Sequence, residues 1–524
     1  MPGSPSGTLL KPSFLPKLRR SRAREPYPTK MKLSAFHRLF AVLFLGFASG
    51  LPLALTGQAM QAWLSVEGVD IATIGFLGLV GVPYTFKFLW APLLDRFEPP
   101  ILGRRRGWLV LTQLLLAAVL WGMSGADPKA APLAFAGVAL GVAFLSASQD
   151  VVIDAYRTDL LAPAERGLGG SLAVFGYRIA MILSGGISLI WAEQWHSWGR
   201  VYAVMAWIMV AAAAFSLLAL PKISGAVQPS GSSPLRELRG FLALLAGALV
   251  GVFVSRWGLQ GLGLNPDDPS KWVRLAFVLA GLACALPLGY WAAQKAGFET
   301  LSQSLASYFS QSAAWSFLLL IVLYKLSDAF AGSLTTPFLI KGMAFTQAEV
   351  GIVNKIIGIW LTIFGALLAG ALMLRLNLYR ALLLFGLLQM LANFGFYALA
   401  VLGRGAWGGF TVQPFDWGFV AIAQPAQIDN LLMTAIAAEN ITSGMGTAAF
   451  VALLMSLCSH RYSATHYALL SALAAVGRIY VSPLAGVMAE AVGWPAFFVV
   501  AVLLGLPGIY MVWRMRAAIK GLIP

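Results

Sequence analysis

The sequence predicts an all-α integral membrane protein, two six-helix bundles with two extra helices between them, fourteen transmembrane helices in all. Three observations predict it. Stretches of about twenty apolar residues, the length that crosses a bilayer, recur along the chain. The composition of the 524 residues is 59% hydrophobic and only 11% charged, with a mean hydropathy of +0.77, far from the roughly 25% charged residues of soluble domains. Residues 221–237 are too polar and too rich in Pro, Gly and Ser to span, and they divide the chain into parts that resemble each other.

Residues 1–35 are basic, polar and broken by prolines, which reads as a disordered cytoplasmic tail. This tail is too long to be the charged start of a signal peptide, so the first apolar run is an uncleaved span. Spans near 38–62, 74–94, 108–125, 132–156, 168–192 and 200–220 form a first bundle over 36–220. A linker at 221–239 leads to two additional spans, near 240–260 and 272–293, within 240–296. The second bundle, over 297–524, has spans near 313–338, 348–372, 379–402, 428–457, 464–490 and 494–515.

Under this count the basic tail, the Arg104, Arg105 and Arg106 cluster, Lys222, Arg236, Lys295, Arg375, Arg380 and Arg514 all fall on one side. The loops opposite are short or acidic. The positive-inside rule makes the basic side cytoplasmic, with both termini on it. The net charge of +16 is therefore a matter of topology, and without a basic stripe beside stacking aromatics nucleic acid is excluded as a partner. Cys284 and Cys458 lie in apolar runs and read as packing residues, so no metal or cofactor is expected.

The halves show internal similarity. Ser171 to Arg178 in the fifth span answers Ser471 to Arg478 in the thirteenth, Ser184-Gly185-Gly186 answers Ser482-Pro483-Leu484-Ala485-Gly486, and Glu193 answers Glu490. Parallel halves related by an axis along the membrane normal are the arrangement of major facilitator transporters, which hold their solute between the halves.

Charged groups inside spans mark the candidate site, because each costs about 2.5 to 3.5 kcal/mol near the midplane unless paired or facing water. Asp150 and Asp154 stand one helical turn apart on one face, with Arg157 three residues on. Two carboxylates in a low dielectric are suited to take up and release a proton. Ser148 and Gln149 offer uncharged hydrogen bonds to a polar ligand. Asp159 with Arg157 reads as a structural pair near a membrane face, and Asp154 either takes part in such a pair or belongs to the coupling set. Lys325 and Asp328, three apart, either neutralise each other or face a cavity. Glu439, Asn440, Thr442 and Ser443 suit a sugar or peptide, unless Glu439 merely lies near a helix end. Lys87 either snorkels or joins the coupling set, and Lys355 reads as snorkelling. Arg178 and Arg478, deep in their spans, are expected partners for the acids or for an anionic ligand. Between the second and third spans, Asp95, Arg96, Arg104 and Arg105 form a candidate gate resembling the facilitator loop pattern, interrupted by an insertion over 97–102. All four histidines lie near span ends, which argues against a histidine proton relay.

At Leu45 to Leu53, Phe86 to Leu93, Gly103 to Trp108, Ser146 to Asp150 and Tyr324 to Phe330, the chain resembles the AmpG family of muropeptide permeases. The basic tail and the loop 403–427 have no counterpart in that resemblance. It implies proton-driven import of N-acetylglucosaminyl anhydro-N-acetylmuramyl peptides from periplasm to cytoplasm for cell-wall recycling, by a monomer in the bacterial inner membrane. Gly50 and Ser148, inside matching motifs, are expected to allow close helix packing beside the cavity. The residues alone reach only a secondary transporter of a polar solute, with a facilitator for acetyl-CoA or a drug-like solute as the alternative. An intramembrane glycosyl- or acyltransferase is the other class, but the sequence offers no convincing acid, base or metal set for an enzyme. It also has no Gly-Lys-Ser/Thr ATP loop, so an ion gradient is the expected driving force.

Overall fold

The computed structural model describes residues 35–91, 94, 98–99, 102–161, 166–220, 233–299, 314–416, 418, 421–422, 425–457 and 463–522. The first bundle contains α1 (Ala35–Val66), α2 (Ile71–Phe86), α3 (Arg104–Ser124), α4 (Pro132–Leu160), α5 (Leu172–Trp195) and α6 (Trp198–Leu218). The additional pair is α7 (Pro234–Gly261) and α8 (Lys271–Lys295). The second bundle contains α9 (Ala314–Gly342), α10 (Gln347–Met373), α11 (Leu378–Leu402) and α12 (Asn430–Ser456). The segment Ser463–Leu503 breaks at Gly493, whose φ of 76° no helix holds, into α13 (463–492) and α14, which Leu506–Arg514 continues. Among the described residues eleven helices are long and apolar enough to cross a membrane, and α2, α12 and the body of α13 complete the expected fourteen.

Caps and breakers fix the helix ends. Asp70 accepts from Thr73 N at 2.9 Å, Asn377 from Arg380 N at 2.9 Å and Asp429 from Leu432 N at 2.8 Å, each satisfying a first-turn donor of α2, α11 or α12. Thr346 and Glu349 close a reciprocal capping box at the start of α10. α2 narrows to a 3₁₀ turn over Gly78–Gly81, just before Pro83. Wide π turns occupy Leu183–Ile187 in α5, Phe338–Gly342 in α9 and Gly351–Ile357 in α10.

In the first bundle α1 packs on α5, α3 on α6 and α2 on α4, and in the second α10 and α11 pack on α12 while α9 and α11 pack on the segment from Ser463 to Arg514, α9 meeting its Phe497 and Ala501. The connections at 67–70, 125–131, 196–197, 262–270, 343–346, 403–429 and around Gly493 share one end of the helices, the upper face. There a single hydrophobic cluster runs through both bundles, from Trp63, Trp198 and Tyr202 to Phe338, Phe396 and Phe498. Toward the lower face the core splits into one cluster per bundle, around Leu45, Trp90 and Tyr156 in the first and around Leu320, Phe385 and Leu453 in the second. Among the described residues, the buried cores of the two bundles are joined above and separate below.

α7 and α8 pack on each other as a hairpin, and only 17% of each apolar window is buried. Exposed side chains such as Leu249, Phe253 and Trp257 are what a helix in acyl chains presents, since lipid needs no apolar residue hidden from it. The loop 403–427, which has no counterpart in the family resemblance, carries antiparallel strands: β1 (Gly409–Val412) pairs with β4 (Ala426–Asp429), and β2 (Phe415–Asp416) with β3 (Ala421–Ile422).

Candidate functional site

Two seams close the upper face, and they are built alike. At the α2–α13 seam, a Cβ on Gly75 would sit 2.7 Å from the Ser482 carbonyl, so only glycine permits this approach. At the α5–α10 seam, a Cβ on Gly351 would sit 2.7 Å from the Gly186 carbonyl. Glu490 at the end of α13 accepts from Ala72 N, 3.3 Å away in the first turn of α2. Glu193 at the end of α5 accepts from Ala348 N, 2.7 Å away in the first turn of α10. Each glutamate thus caps a helix of the opposite bundle, where backbone donors and the helix dipole favour an anion. The sequence similarity pairing Glu193 with Glu490 and Ser184-Gly185-Gly186 with Ser482 to Gly486 is this pair of seams.

A basic residue from outside the paired helices reaches each acidic cluster. Lys271, which begins α8, bonds Glu490 and lies 3.1 Å from Asp70 Oδ1, bridging both bundles. Arg404 donates to Glu349 at 2.6 Å and to the Ala344 carbonyl at 2.9 Å, all within the second bundle. Phe415 of β2 packs on Ile190 and Ala348, lying across the α5–α10 seam. Burial alone would raise the Asp70 carboxyl, but hydrogen bonds from the Thr73 hydroxyl and N–H and from Lys271 outweigh it and hold Asp70 below its usual value of 3.8.

In the first bundle, Asp150 on α4 accepts from Ser49 Oγ of α1 at 2.5 Å and pairs with Lys87 Nζ at 3.6 Å. Lys87 therefore joins an acid rather than reaching for a membrane face. Asp154 lies within electrostatic reach of Asp150 but pairs with Arg157 at 3.1 Å. The expected Arg157–Asp159 pair is corrected: Asp159 accepts from Arg105 Nε of α3 at 2.9 Å. Arg105 thus ties helices of one bundle together. Arg104 is 9% exposed. Asp95 and Arg96, the rest of the expected gate, lie outside the described residues.

Gln149 has a backbone partner that spacing did not suggest. Pro52 has no N–H, so it leaves the Ala48 carbonyl of α1 without its helical donor, and Gln149 Nε2 fills that place at 2.8 Å. The signal was in the sequence, a proline four residues after Ala48. Ser148 accepts from Trp90 Nε1 at 2.9 Å and donates to the Phe144 carbonyl at 2.8 Å, so its hydroxyl is engaged within the bundle. A Cβ on Gly50 would lie 2.5 Å from the Tyr177 carbonyl, in line with the expected close packing of α1 on α5. Arg178 approaches Met181 Sδ at 4.0 Å, and the structure does not bring it to the acids among the described residues.

In the second bundle, Lys325 Nζ lies 3.5 Å from Asp328 and donates to Thr447 Oγ1 at 3.1 Å. Glu439 accepts from Asn440 Nδ2 at 2.7 Å, and Asn440 Oδ1 accepts from Thr362 at 2.9 Å. Glu439 also interacts electrostatically with Asp328, Lys355 and Lys325, so these four charges form one group. Lys355 is corrected: it is 5% exposed, within the π turn of α10, and does not snorkel. The Arg478 side chain lies outside the described residues. Among the described residues no cluster of three or more metal-ligating side chains exists.

Two related bundles, joined at one face and carrying paired charges at mid-helix, define a solute transporter of the major facilitator type. Solved structures share the fold: a POT family transporter in complex with a thioalcohol-conjugated peptide aligns at TM-score 0.64 and 14% identity over 93% of this chain and 96% of that one. Residues 38–196 match the family model described as Acetyl-coenzyme A transporter 1. The anhydromuropeptide permease of Escherichia coli K12 is 40% identical over 479 residues, 91% of this chain and 80% of that protein. The chain belongs to that permease family, AmpG, and is a membrane transporter, not an enzyme.

Proposed function

We propose that the chain imports N-acetylglucosaminyl anhydro-N-acetylmuramyl peptides from periplasm to cytoplasm, coupled to protons, as a monomer in the bacterial inner membrane. The observation that carries this reading is the likeness to the E. coli permease along nearly the whole chain. The upper face is periplasmic and both termini are cytoplasmic on the positive-inside argument, which makes the conformation described inward-open. Its working parts are the tail over 1–35, bundles over 36–220 and 297–524, the linker 221–239 and the helix pair within 240–296. Asp150 is the proton carrier. Protonation weakens the hold of Asp150 on Lys87 and Ser49, and loss of the proton restores it, giving the first bundle two states that differ by one charge for alternating access.

Uptake of labelled anhydromuropeptide into vesicles, with and without a protonophore, tests the proposal. Asp150→Asn is expected to abolish gradient-driven accumulation in a protein that still inserts. Wild-type uptake and pH dependence in that variant would remove Asp150 from the mechanism. A second reading, transport of acetyl-coenzyme A, draws on the match over the first bundle, and competition by unlabelled acetyl-CoA in the same assay decides it.

A further inference from the structure

Lys355 is a buried cation that belongs to the four-charge group of the second bundle but makes no bonded pair within it. It is 5% exposed, and among the described residues its ammonium makes neither a hydrogen bond nor an ion pair. The nearby acid, Glu439, influences it electrostatically without forming an ion pair with it, and Glu439 Oε2 accepts from Asn440. The preceding residue is also short of partners: Asn354 is 8% exposed and its Nδ2 has no acceptor among the described residues. Burying the Asn354 Nδ2 donors unsatisfied costs free energy that an arriving acceptor would recover, and the Lys355 ammonium beside it offers three more donors.

The position is as informative as the chemistry. Lys355 lies four residues past Gly351, whose backbone meets Gly186 to close the α5–α10 seam, and a Cβ on Gly186 would lie 3.3 Å from Lys355 Cβ. The side chain therefore begins directly beneath the closed seam, on the bundle-to-bundle surface. Both donors sit in the π turn Gly351–Ile357, a feature common at functional sites because it redirects side chains and loosens the hydrogen-bond ladder.

We infer that Lys355, assisted by Asn354 Nδ2, binds a carboxylate of the solute as a specificity-determining residue of the second bundle. The inference rests on the proposed function, since the peptide of an anhydromuropeptide supplies the carboxylate. It also assigns the bundles different tasks, proton exchange at Asp150 in the first and the anionic end of the solute at Lys355 in the second.

The test compares uptake of one labelled anhydromuropeptide with its peptide carboxylates free or amidated, in vesicles carrying the full-length wild type, Lys355→Arg, Lys355→Gln or Lys355→Met. Wild type and Lys355→Arg are expected to prefer the free acid, whereas Lys355→Gln and Lys355→Met raise its apparent KM about tenfold, to that of the amide, leaving the amide's KM unchanged. Neutral variants that keep the wild-type preference, or inserted neutral variants that lose both forms equally, would overturn the inference while the transport reading stands. A wild type that moves neither form would overturn that reading, and this inference with it.

Discussion

Lys87 in the first bundle and Lys355 in the second are both cations within helices, yet their surroundings differ in kind. Lys87 has Asp150 at 3.6 Å, with Ser49 on the same carboxylate, so its charge is balanced inside the bundle. Lys355 is more deeply buried and its ammonium has no bonded acid among the described residues. Two bundles that share a fold and a seam design have diverged in where their charge balance comes from. Lys87 is balanced by a bonded acid, whereas Lys355 has Glu439 only at electrostatic range.

The sharpest way to break this comparison is to disturb the first bundle without touching its charges. Gln149→Leu leaves the Ala48 carbonyl buried without a donor and is expected to cost about 1 to 3 kcal/mol of stability, read as earlier thermal unfolding in detergent. Adding Pro52→Ala restores a backbone N–H facing Ala48 and should recover much of the loss. A double variant no more stable than Gln149→Leu alone would mean that the amide serves something other than this carbonyl.

The seams offer a finer contrast. Lys271→Ala leaves Asp70 and Glu490 facing each other across the bundles and should shift the population toward an open upper face by about two- to fivefold, the worth of a partly exposed pair. Labelling of a cysteine introduced at Ser482 reads that opening. Arg404→Ala should move the same signal less, because among the described residues Arg404 bonds within its own bundle. Equal effects would erase the distinction between a bridge and a brace.

The smallest expected effect is of pH. A carboxyl held below its usual value contributes fully above the unfolded pKa, and the contribution fades as pH falls through the folded one. The Asp70 contact should therefore be unchanged between pH 7 and pH 5 and weaken only below about 3.8, again read by labelling at residue 482. A loss near pH 6 would point to a different titrating group.

Much of this was legible in the sequence. The fourteen spans follow from apolar length, and Glu193 and Glu490 stand in matching places because the two seams repeat one design. Local spacing failed where a partner came from another helix. Arg157 sits near both Asp154 and Asp159 along the chain, and only the approach of Arg105 from α3 decides which it pairs with. Lys355 was misread because no spacing announces a π turn, which rotates everything after it away from the face that a regular helix predicts. The strands within 409–429 were missed because short alternating runs in a long loop carry little signal beside bilayer-length helices.

The wide turn in α10 has an evolutionary consequence. A π segment closes its hydrogen bonds one residue further along than an α-helix does, so it behaves as a helix that has absorbed one inserted residue. Deleting Ile352 should let Gly351–Ile357 relax to α geometry with the flanking turns still in phase, while the same deletion within Gly358–Met373 would rotate the rest of the helix out of register. Gene variants one codon shorter in this turn are therefore the natural place to look for relatives that still fold but turn Lys355 and Asn354 to a different face of the helix.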